Sequence, residues 1–442
     1  MNSNSHSAAV SPAAAVPAPV SKAKKIAAIT IGNGLEFFDF SIYTYFAAII
    51  GRQFFPSTSE WASLMMSLAT FGVGFLMRPL GGIIMGQFAD RRGRKPAMTL
   101  SLWLMAVGSA IFIVAPTYAQ IGLAAPLLMI AGRMIQGFAV GGEVGASTSM
   151  LLEYADDRTR GFYSSWQLFS QALSTLVGSG VGLLLTYALT AEQLESWGWR
   201  LPFVVGLLLV PIGNYIRRFL DETAEVEHAP ASGQPGKRAP GALSEILQAH
   251  RKPLLLGTAI VIGGTSANYI VMHSITTYAK AILHMPFSLA LWASWLAGLL
   301  QLLLCAPAGI LTDRLGRKPV ATWSRLALIV LVFPAFMLMN HLRSGMGLLT
   351  AVTVMVIPMV FTSVSSVVMM TELFPRRVRA TGLALCYGLG VSIFGGFSQF
   401  IATWLVKATG SNLGPAWYVI GTGLISLVAI AMVRETAGRK LD

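Results

Sequence analysis

Charge is what this sequence has least of. Only 12% of its 442 residues are Asp, Glu, Lys or Arg, against about 25% in an average soluble protein. A mean hydropathy of +0.64 and long unbroken apolar blocks exclude a soluble enzyme, a disordered chain and a coiled coil. Cysteine is nearly missing. Cys305 and Cys386 sit inside apolar stretches without metal-type spacing, so neither a disulfide framework nor a metal site is expected. The six histidines are scattered, and neither H-E-x-x-H nor G-x-x-x-x-G-K-[ST] occurs. Nothing therefore points to a zinc protease or a nucleotide-driven engine, and no cofactor and no enzymatic activity are expected.

What the chain does have is spans. A bilayer-crossing helix takes roughly 20 mainly apolar residues. Twelve such stretches lie near 26–50, 61–88, 97–116, 120–149, 161–188, 201–219, 253–277, 286–311, 320–339, 346–370, 380–406 and 415–433. The fold class is thus an all-α membrane protein of twelve transmembrane helices. The one long polar interval, 221–252, holds Pro230, Pro235, Gly236, Lys237, Arg238 and Pro240. It divides the chain into a tail (1–25), a six-helix bundle (26–220), a central loop (221–252), a second six-helix bundle (253–434) and a short tail (435–442). The Ala/Pro/Ser-rich start precedes Lys22, Lys24 and Lys25. A cleavable signal would reverse that order, so 1–25 reads as a disordered cytoplasmic tail.

A net charge of +13 invites a nucleic-acid partner. The positions of the charges argue otherwise. With the N-terminus inside, 24 of the 32 basic residues fall on the cytoplasmic side, and only Arg52, Arg200, Lys280, Arg343 and Lys407 fall outside. That is the positive-inside bias of a membrane protein with both termini cytoplasmic. No nucleic-acid partner is expected.

The chain also repeats itself. Asp90-Arg91-Arg92-Gly93-Arg94-Lys95-Pro96 recurs as Asp313-Arg314-Leu315-Gly316-Arg317-Lys318-Pro319, each preceded by a glycine, Gly86 or Gly309, four positions ahead of its aspartate. Glu153 with Arg160 matches Glu372 with Arg379, and Glu222-Thr223-Ala224 is echoed by Glu435-Thr436-Ala437. Three landmarks in one order at nearly constant offset mean two homologous halves. Six spans each is an even number, so the halves share one orientation as parallel repeats.

These two loops resemble the signature loop of the major facilitator superfamily, G-x-L-x-D-R-x-G-R-[KR], with Phe88 in place of the usual leucine. The resemblance implies that Asp90 and Asp313 join a charge network with neighbouring helix ends as the halves rock. Gly86, Arg91, Gly93, Arg94, Arg314, Gly316 and Arg317 would belong to the same gate, and Glu153, Arg160, Glu372 and Arg379 to its cytoplasmic latch. A narrower resemblance rests on Gly32-Asn33-Gly34-Leu35-Glu36-Phe37-Phe38-Asp39-Phe40, Gly74-Phe75-Leu76-Met77-Arg78-Pro79-Leu80-Gly81-Gly82 and Gly137-Phe138-Ala139-Val140-Gly141-Gly142-Glu143. Trp197-Gly198-Trp199-Arg200-Leu201-Pro202-Phe203 and Arg379-Ala380-Thr381-Gly382-Leu383-Ala384 add to it. Together they are similar to the metabolite:proton symporter branch, whose members take up citrate, 2-oxoglutarate and shikimate, but also proline and glycine betaine.

An ionisable group in the bilayer centre costs about 2.5–3.5 kcal/mol on insertion scales, so each needs a reason. Glu36 and Asp39 share a helix face, roughly 16 and 21 Å above Lys25, and Arg78 lies at about 18 Å above Asp90. At one depth they could simply pair, or Arg78 could bind the substrate. Arg133, also near the midplane, is expected to face the cavity and fork onto a substrate carboxylate, as guanidinium does. Asp39, Glu36 or Glu143 would carry the proton. Asn268, Tyr269, Tyr387 and Gln399 are candidate cavity residues. His273 is a candidate gate, and Arg325, near the end of its span, is expected to snorkel to the headgroups. Gly137-x-x-x-Gly141-x-x-x-Gly145 and Gly178-x-Gly180-x-Gly182 read as helix-packing glycines.

The expected protein is a monomeric transporter of the bacterial inner membrane that imports a small carboxylate with protons by rocker-switch alternating access. The alternative is uptake of a zwitterion such as betaine or proline. Osmosensing relatives of that type carry a C-terminal coiled coil, and none follows the last span here. An exporter or a transporter-like sensor is the remaining class. An exporter would need a large apolar pocket, and a sensor an appended soluble domain.

Overall fold

The computed structural model describes residues 21–438 apart from Gly93, 142–146, Ser149, Glu153, 218–241 and 376–377. Of the residues singled out above, Gly93, Gly142, Glu143, Gly145 and Glu153 lie outside the described residues, as do Gly86 and the side chains of Asp90, Arg91 and Arg94.

Twelve helical spans follow one another. They are α1 (Lys22–Phe54), α2 (Glu60–Leu76 continued by Arg78–Arg92), α3 (Arg94–Val114), α4 (Ala124–Gly141), α5 (Arg160–Ala188) and α6 (Leu201–Arg217). The second half supplies α7 (Arg251–Ile282), α8 (Phe287–Leu315), α9 (Arg317–Leu342), α10 (Gly345–Glu372), α11 (Arg379–Phe394 continued by Ser398–Thr409) and α12 (Gly414–Met432). Ten of these helices are long and apolar enough to cross a membrane. The other two are α1, which carries Glu36 and Asp39 in its middle, and α6, described over 17 residues. The described ends lie within about five residues of the hydropathy blocks, the block ends at 149 and 219 fall outside the described residues, and two breaks appear that the blocks could not show. α2 breaks at Met77 and α11 at Gly395–Phe397, because a local kink leaves mean hydropathy unchanged.

The break in α2 follows from Pro79. Proline has no N–H, so the carbonyl of Phe75, four residues back, loses its helical partner. Ser392 Oγ of α11 supplies the bond instead, at 2.8 Å. Glycines then set how closely neighbours approach. A Cβ on Gly137 of α4 would lie 1.7 Å from the carbonyl oxygen of Gly74, and one on Gly141 2.1 Å from that of Arg78. α2 and α4 therefore touch backbone to backbone, which fixes the depth and facing of Arg78. Gly178 packs on Ile42 and Ser41 of α1, whereas Gly182 packs on Leu291 of α8, so the second glycine run serves two interfaces.

The two halves, α1–α6 and α7–α12, meet along α5 against α8 and along α2 against α11. Gly298 of α8 sits against the backbone of Leu176, and Gly309 against that of Gly161. α7 is not uniform. It runs through wider π-helical turns at Tyr269–Ser274 and Tyr278–Ile282, a feature often found where a helix serves a site.

Candidate functional site

A cavity with about 640 Å³ of empty space lies between the halves. It is lined by Thr148, Gln167 and Gln171 from the first half, and by Gly264, Thr265, Asn268, Tyr269, Ser363, Ser366 and Tyr387 from the second, with apolar residues between them. None of the described residues lining it carries a formal charge. Asn268, Tyr269 and Tyr387 were legible in the sequence as cavity candidates, and they line it. Gln399 does not. It donates to Thr44 Oγ1 at 3.2 Å, tying α11 to α1 elsewhere. His273 lies against Tyr269, its ring tilted by 34° with centroids 5.2 Å apart, and is buried.

Arg78 stands beside this cavity. It is buried to 2% exposure, its guanidinium carbon lying 3.7 Å from the Phe75 ring centre and 5.0 Å from that of Phe40. The hydroxyls of Tyr269 and Tyr387 flank it. Yet none of its three guanidinium nitrogens has a well-formed hydrogen bond among the described residues. The pairing with Glu36 or Asp39 allowed by their common depth is not formed. The helix faces divide them: Glu36 Oε1 accepts from Ser101 Oγ at 3.3 Å, and Asp39 turns toward α3, α4 and α6.

Asp39 is the centre of a second polar cluster, inside the first half. Its Oδ2 accepts from Ser109 Oγ and, at 3.3 Å, from Gln136 Nε2. Gln136 Nε2 also reaches Ser109 Oγ at 3.0 Å, and its Oε1 accepts from Arg133 Nη1 at 2.8 Å. The carboxylate and guanidinium are thus joined through one amide. Asp39 Oδ1 has no partner among the described residues. A Cβ on Gly206 of α6 would lie 2.4 Å from it, so glycine leaves this oxygen its room. Arg133 itself is fully buried in an aromatic cage, 3.8 Å from the Tyr43 ring centre and 4.8 Å from that of Phe112. It is not among the described residues lining the central cavity, contrary to the expectation from its depth, because it is enclosed within the first half. The missed members are Ser109 and Gln136. Gln136 follows Arg133 by three residues on one helix face, a spacing that could have flagged it.

A third cluster closes one end of the molecule. Asp313, the aspartate of the second signature loop, accepts from the backbone N–H groups of Gly161 and Phe162 at 2.8 and 2.9 Å. A carboxylate of one half thereby caps the N-terminus of α5 in the other, where the helix dipole favours negative charge. Arg160 reaches Glu372 at 3.2 Å and also pairs with Asp157. Arg317 lies 3.3 Å from Glu372 and 3.4 Å from Asp313. Glu435 accepts from the backbone N–H groups of Arg317 and Lys318. Burial works against its charge, but four backbone donors outweigh that and hold its carboxyl below the usual carboxylate range. Gly316 makes the intervening turn at φ +102°, open to glycine and strained for other residues. Arg379 donates to the Phe374 carbonyl at 3.2 Å, and Arg314 is exposed at the end of α8.

Arg325 differs from its expectation. It is completely buried rather than extended to the headgroups, because its side chain turns inward between α7 and α10.

A family model described as Major Facilitator Superfamily matches residues 29–396. The citrate-proton symporter of Klebsiella pneumoniae is 33% identical, over 91% of this chain and 89% of that protein. The proline/betaine transporter of Escherichia coli strain K12 is 32% identical, over 95% of this chain and 84% of that protein. Among solved structures, the xylose transporter XylE from E. coli in a partially occluded inward-open conformation superposes with a TM-score of 0.75 at 18% identity. That match covers 95% of this chain and 99% of the other, and it speaks for the fold.

Proposed function

The chain belongs to the major facilitator superfamily, and from that premise we propose that it is a proton-coupled symporter importing a small carboxylate metabolite. The observation that carries this reading is Arg78, a buried guanidinium without a well-formed hydrogen bond, flanked by two tyrosine hydroxyls at the cavity. A charge held out of water in this way is costly until an anion pairs with it. A carboxylate offers the bidentate geometry that guanidinium prefers. The similarity to citrate-proton symporters supports the same choice.

The similarity to proline/betaine transporters keeps a zwitterion in view. A quaternary ammonium wants a free aromatic face or a carboxylate. Here the Phe75 and Phe40 faces already hold Arg78, the two tyrosines lining the cavity set their hydroxyls beside the same guanidinium, and no carboxylate is among the described lining residues. The cavity therefore suits an acid better.

In the proposed cycle the substrate carboxylate binds Arg78 while Asp39 takes the proton on its unpartnered Oδ1. Ser109, Gln136 and, through Gln136, Arg133 stabilise Asp39 when it is charged. The Asp313, Arg160, Arg317 and Glu372 latch closes the cytoplasmic end, and opens as the halves rock. Each net positive charge moved inward adds about 2.3 kcal/mol of drive per 100 mV. A di- or tricarboxylate thus needs more than one proton for net positive import. The protein would work as a monomer in a bacterial inner membrane, with both termini cytoplasmic.

The test is uptake into proteoliposomes of labelled citrate, succinate, 2-oxoglutarate, shikimate, glycine betaine and proline, with and without an inward proton gradient. Gradient-dependent uptake of an acid is expected. Uptake of betaine or proline alone would overturn the acid assignment.

A further inference from the structure

Arg325 of α9 is as buried as any residue in the protein, at 0% exposure. Its Nη2 lies 3.5 Å from Ser366 Oγ and 3.6 Å from where a Cβ on Gly264 would stand. Ser366 and Gly264 both line the central cavity. Its Nε and Nη1 have no hydrogen-bond partner among the described residues. Arg78 and Arg133 each lie over aromatic rings. Arg325 has neither ring nor carboxylate beside it among the described contacts. The nearest acidic groups along its helix pair with Arg317, two turns or roughly 12 Å away.

Two details aim this cation at the cavity. Ser366 spends its own proton on the carbonyl of Thr362, at 2.6 Å, so its oxygen is left to accept from Arg325 and to hold the guanidinium at the wall. Position 264 is glycine, and any larger side chain there would stand between Nη2 and the cavity. Gly264 precedes Tyr269, the neighbour of Arg78, by five residues, or roughly 7 Å along α7.

We propose that Arg325 is the second cationic pole of the cavity, and that Arg78 and Arg325 together select substrates carrying at least two carboxylates. This rests on the carboxylate-import reading and narrows it to di- and tricarboxylates. One carboxylate of a short acid pairs with Arg78 beside Tyr269 and Tyr387, and another pairs with Arg325 past Gly264. A monocarboxylate neutralises one pole and leaves the other buried without a counter-ion. A betaine brings one carboxylate for one pole, and a quaternary ammonium that meets no carboxylate among the described residues lining the cavity. Selectivity thus arises from the cost of an unpaired buried charge as much as from attraction.

The experiment is equilibrium binding of citrate, succinate, propionate and glycine betaine to the full-length protein in lipid nanodiscs, compared across wild type, Arg325→Gln and Arg325→Lys. Wild type should bind citrate or succinate at least tenfold more tightly than propionate or betaine. Arg325→Gln should cut the citrate-to-propionate ratio by tenfold or more, and Arg325→Lys should restore part of it. Loss of fold alone would not shift that ratio. If Arg325→Gln gives no folded protein, Gly264→Leu decides, since it keeps the charge but sets a side chain between Nη2 and the cavity, and it should lower the same ratio. An unchanged ratio in these variants, with carboxylates still bound, overturns the role of Arg325 while the carboxylate reading stands. A wild-type protein that binds betaine and no acid overturns both.

Discussion

The hydroxyl of Ser392 in α11 donates to the carbonyl of Phe75 in α2 at 2.8 Å, taking the bond that Pro79 cannot make. Sequence-local chemistry in one half is thus completed by a side chain of the other, three residues from Arg78. This joint holds the halves together at the depth of the cavity. Removing one such bond costs about 1 kcal/mol.

Ser392→Ala should therefore lower stability modestly and, if the halves rock as proposed, also change the transport rate, since the bond crosses between them. Ser426→Ala is the comparison. Its hydroxyl bonds the carbonyl of Ile260 at 3.1 Å, wholly within the second half. The two variants should melt alike, with only Ser392→Ala altering the initial rate of uptake. Equal rates would deny the joint a role in rocking.

The latch makes a sharper prediction. Asp313 accepts two backbone N–H groups of the opposite half, and hydrogen bonds to charged groups contribute about 1.5–3 kcal/mol each. Asp313→Asn keeps the shape but loses the charge. With a cysteine introduced by Thr148→Cys in a Cys305→Ala, Cys386→Ala background, maleimide labelling from the latch end should quicken by about tenfold or more. Labelling at the parent rate would mean that this contact does not hold the end closed.

Backbone contact between α2 and α4 predicts a steep difference between glycines. Gly137→Ala drives a methyl to 1.7 Å from the Gly74 oxygen, whereas a Cβ on Gly421 of α12 meets nothing within 4 Å. Gly137→Ala should abolish or severely reduce folded protein. Gly421→Ala should leave the melting temperature nearly unchanged, within about 0.5 kcal/mol of stability. Size-exclusion profiles and thermal melts of the two variants check this.

Much of this is legible in the sequence, and for a physical reason. Bilayer thickness forces long apolar runs, so the spans announced themselves, and the duplicated Asp90 and Asp313 loops gave the two halves. Asn268, Tyr269 and Tyr387 stood out because a polar residue in a span needs a purpose. What stayed hidden depends on the rotational setting of each helix, which spacing along one chain does not fix. Depth alone brought Arg78 level with Glu36 and Asp39, yet helix faces send Asp39 to Ser109 and Gln136 and leave Arg78 at the cavity. Arg325 is close enough to its helix end to reach water, and only its packing against Ser366 and Gly264 shows that it turns inward.

Asp39→Asn removes the charge that Ser109 and Gln136 hold and with it the proposed proton carrier. Uptake against a concentration gradient should be lost, while exchange of labelled for unlabelled substrate across the membrane should persist, because exchange needs no net proton movement. Gln136→Ala, which severs Asp39 from Arg133, should weaken accumulation less. Full proton-driven accumulation in Asp39→Asn would move the proton to Glu36 or Glu143.

The most direct test of the account is the proton itself. External pH is recorded as citrate or succinate is added to lightly buffered, de-energised proteoliposomes. A carboxylate–proton symporter that binds its substrate at Arg78 makes the outside more alkaline as the acid enters, and Arg78→Gln abolishes the signal. Alkalinisation on adding glycine betaine or proline, with none for any carboxylate, would contradict it.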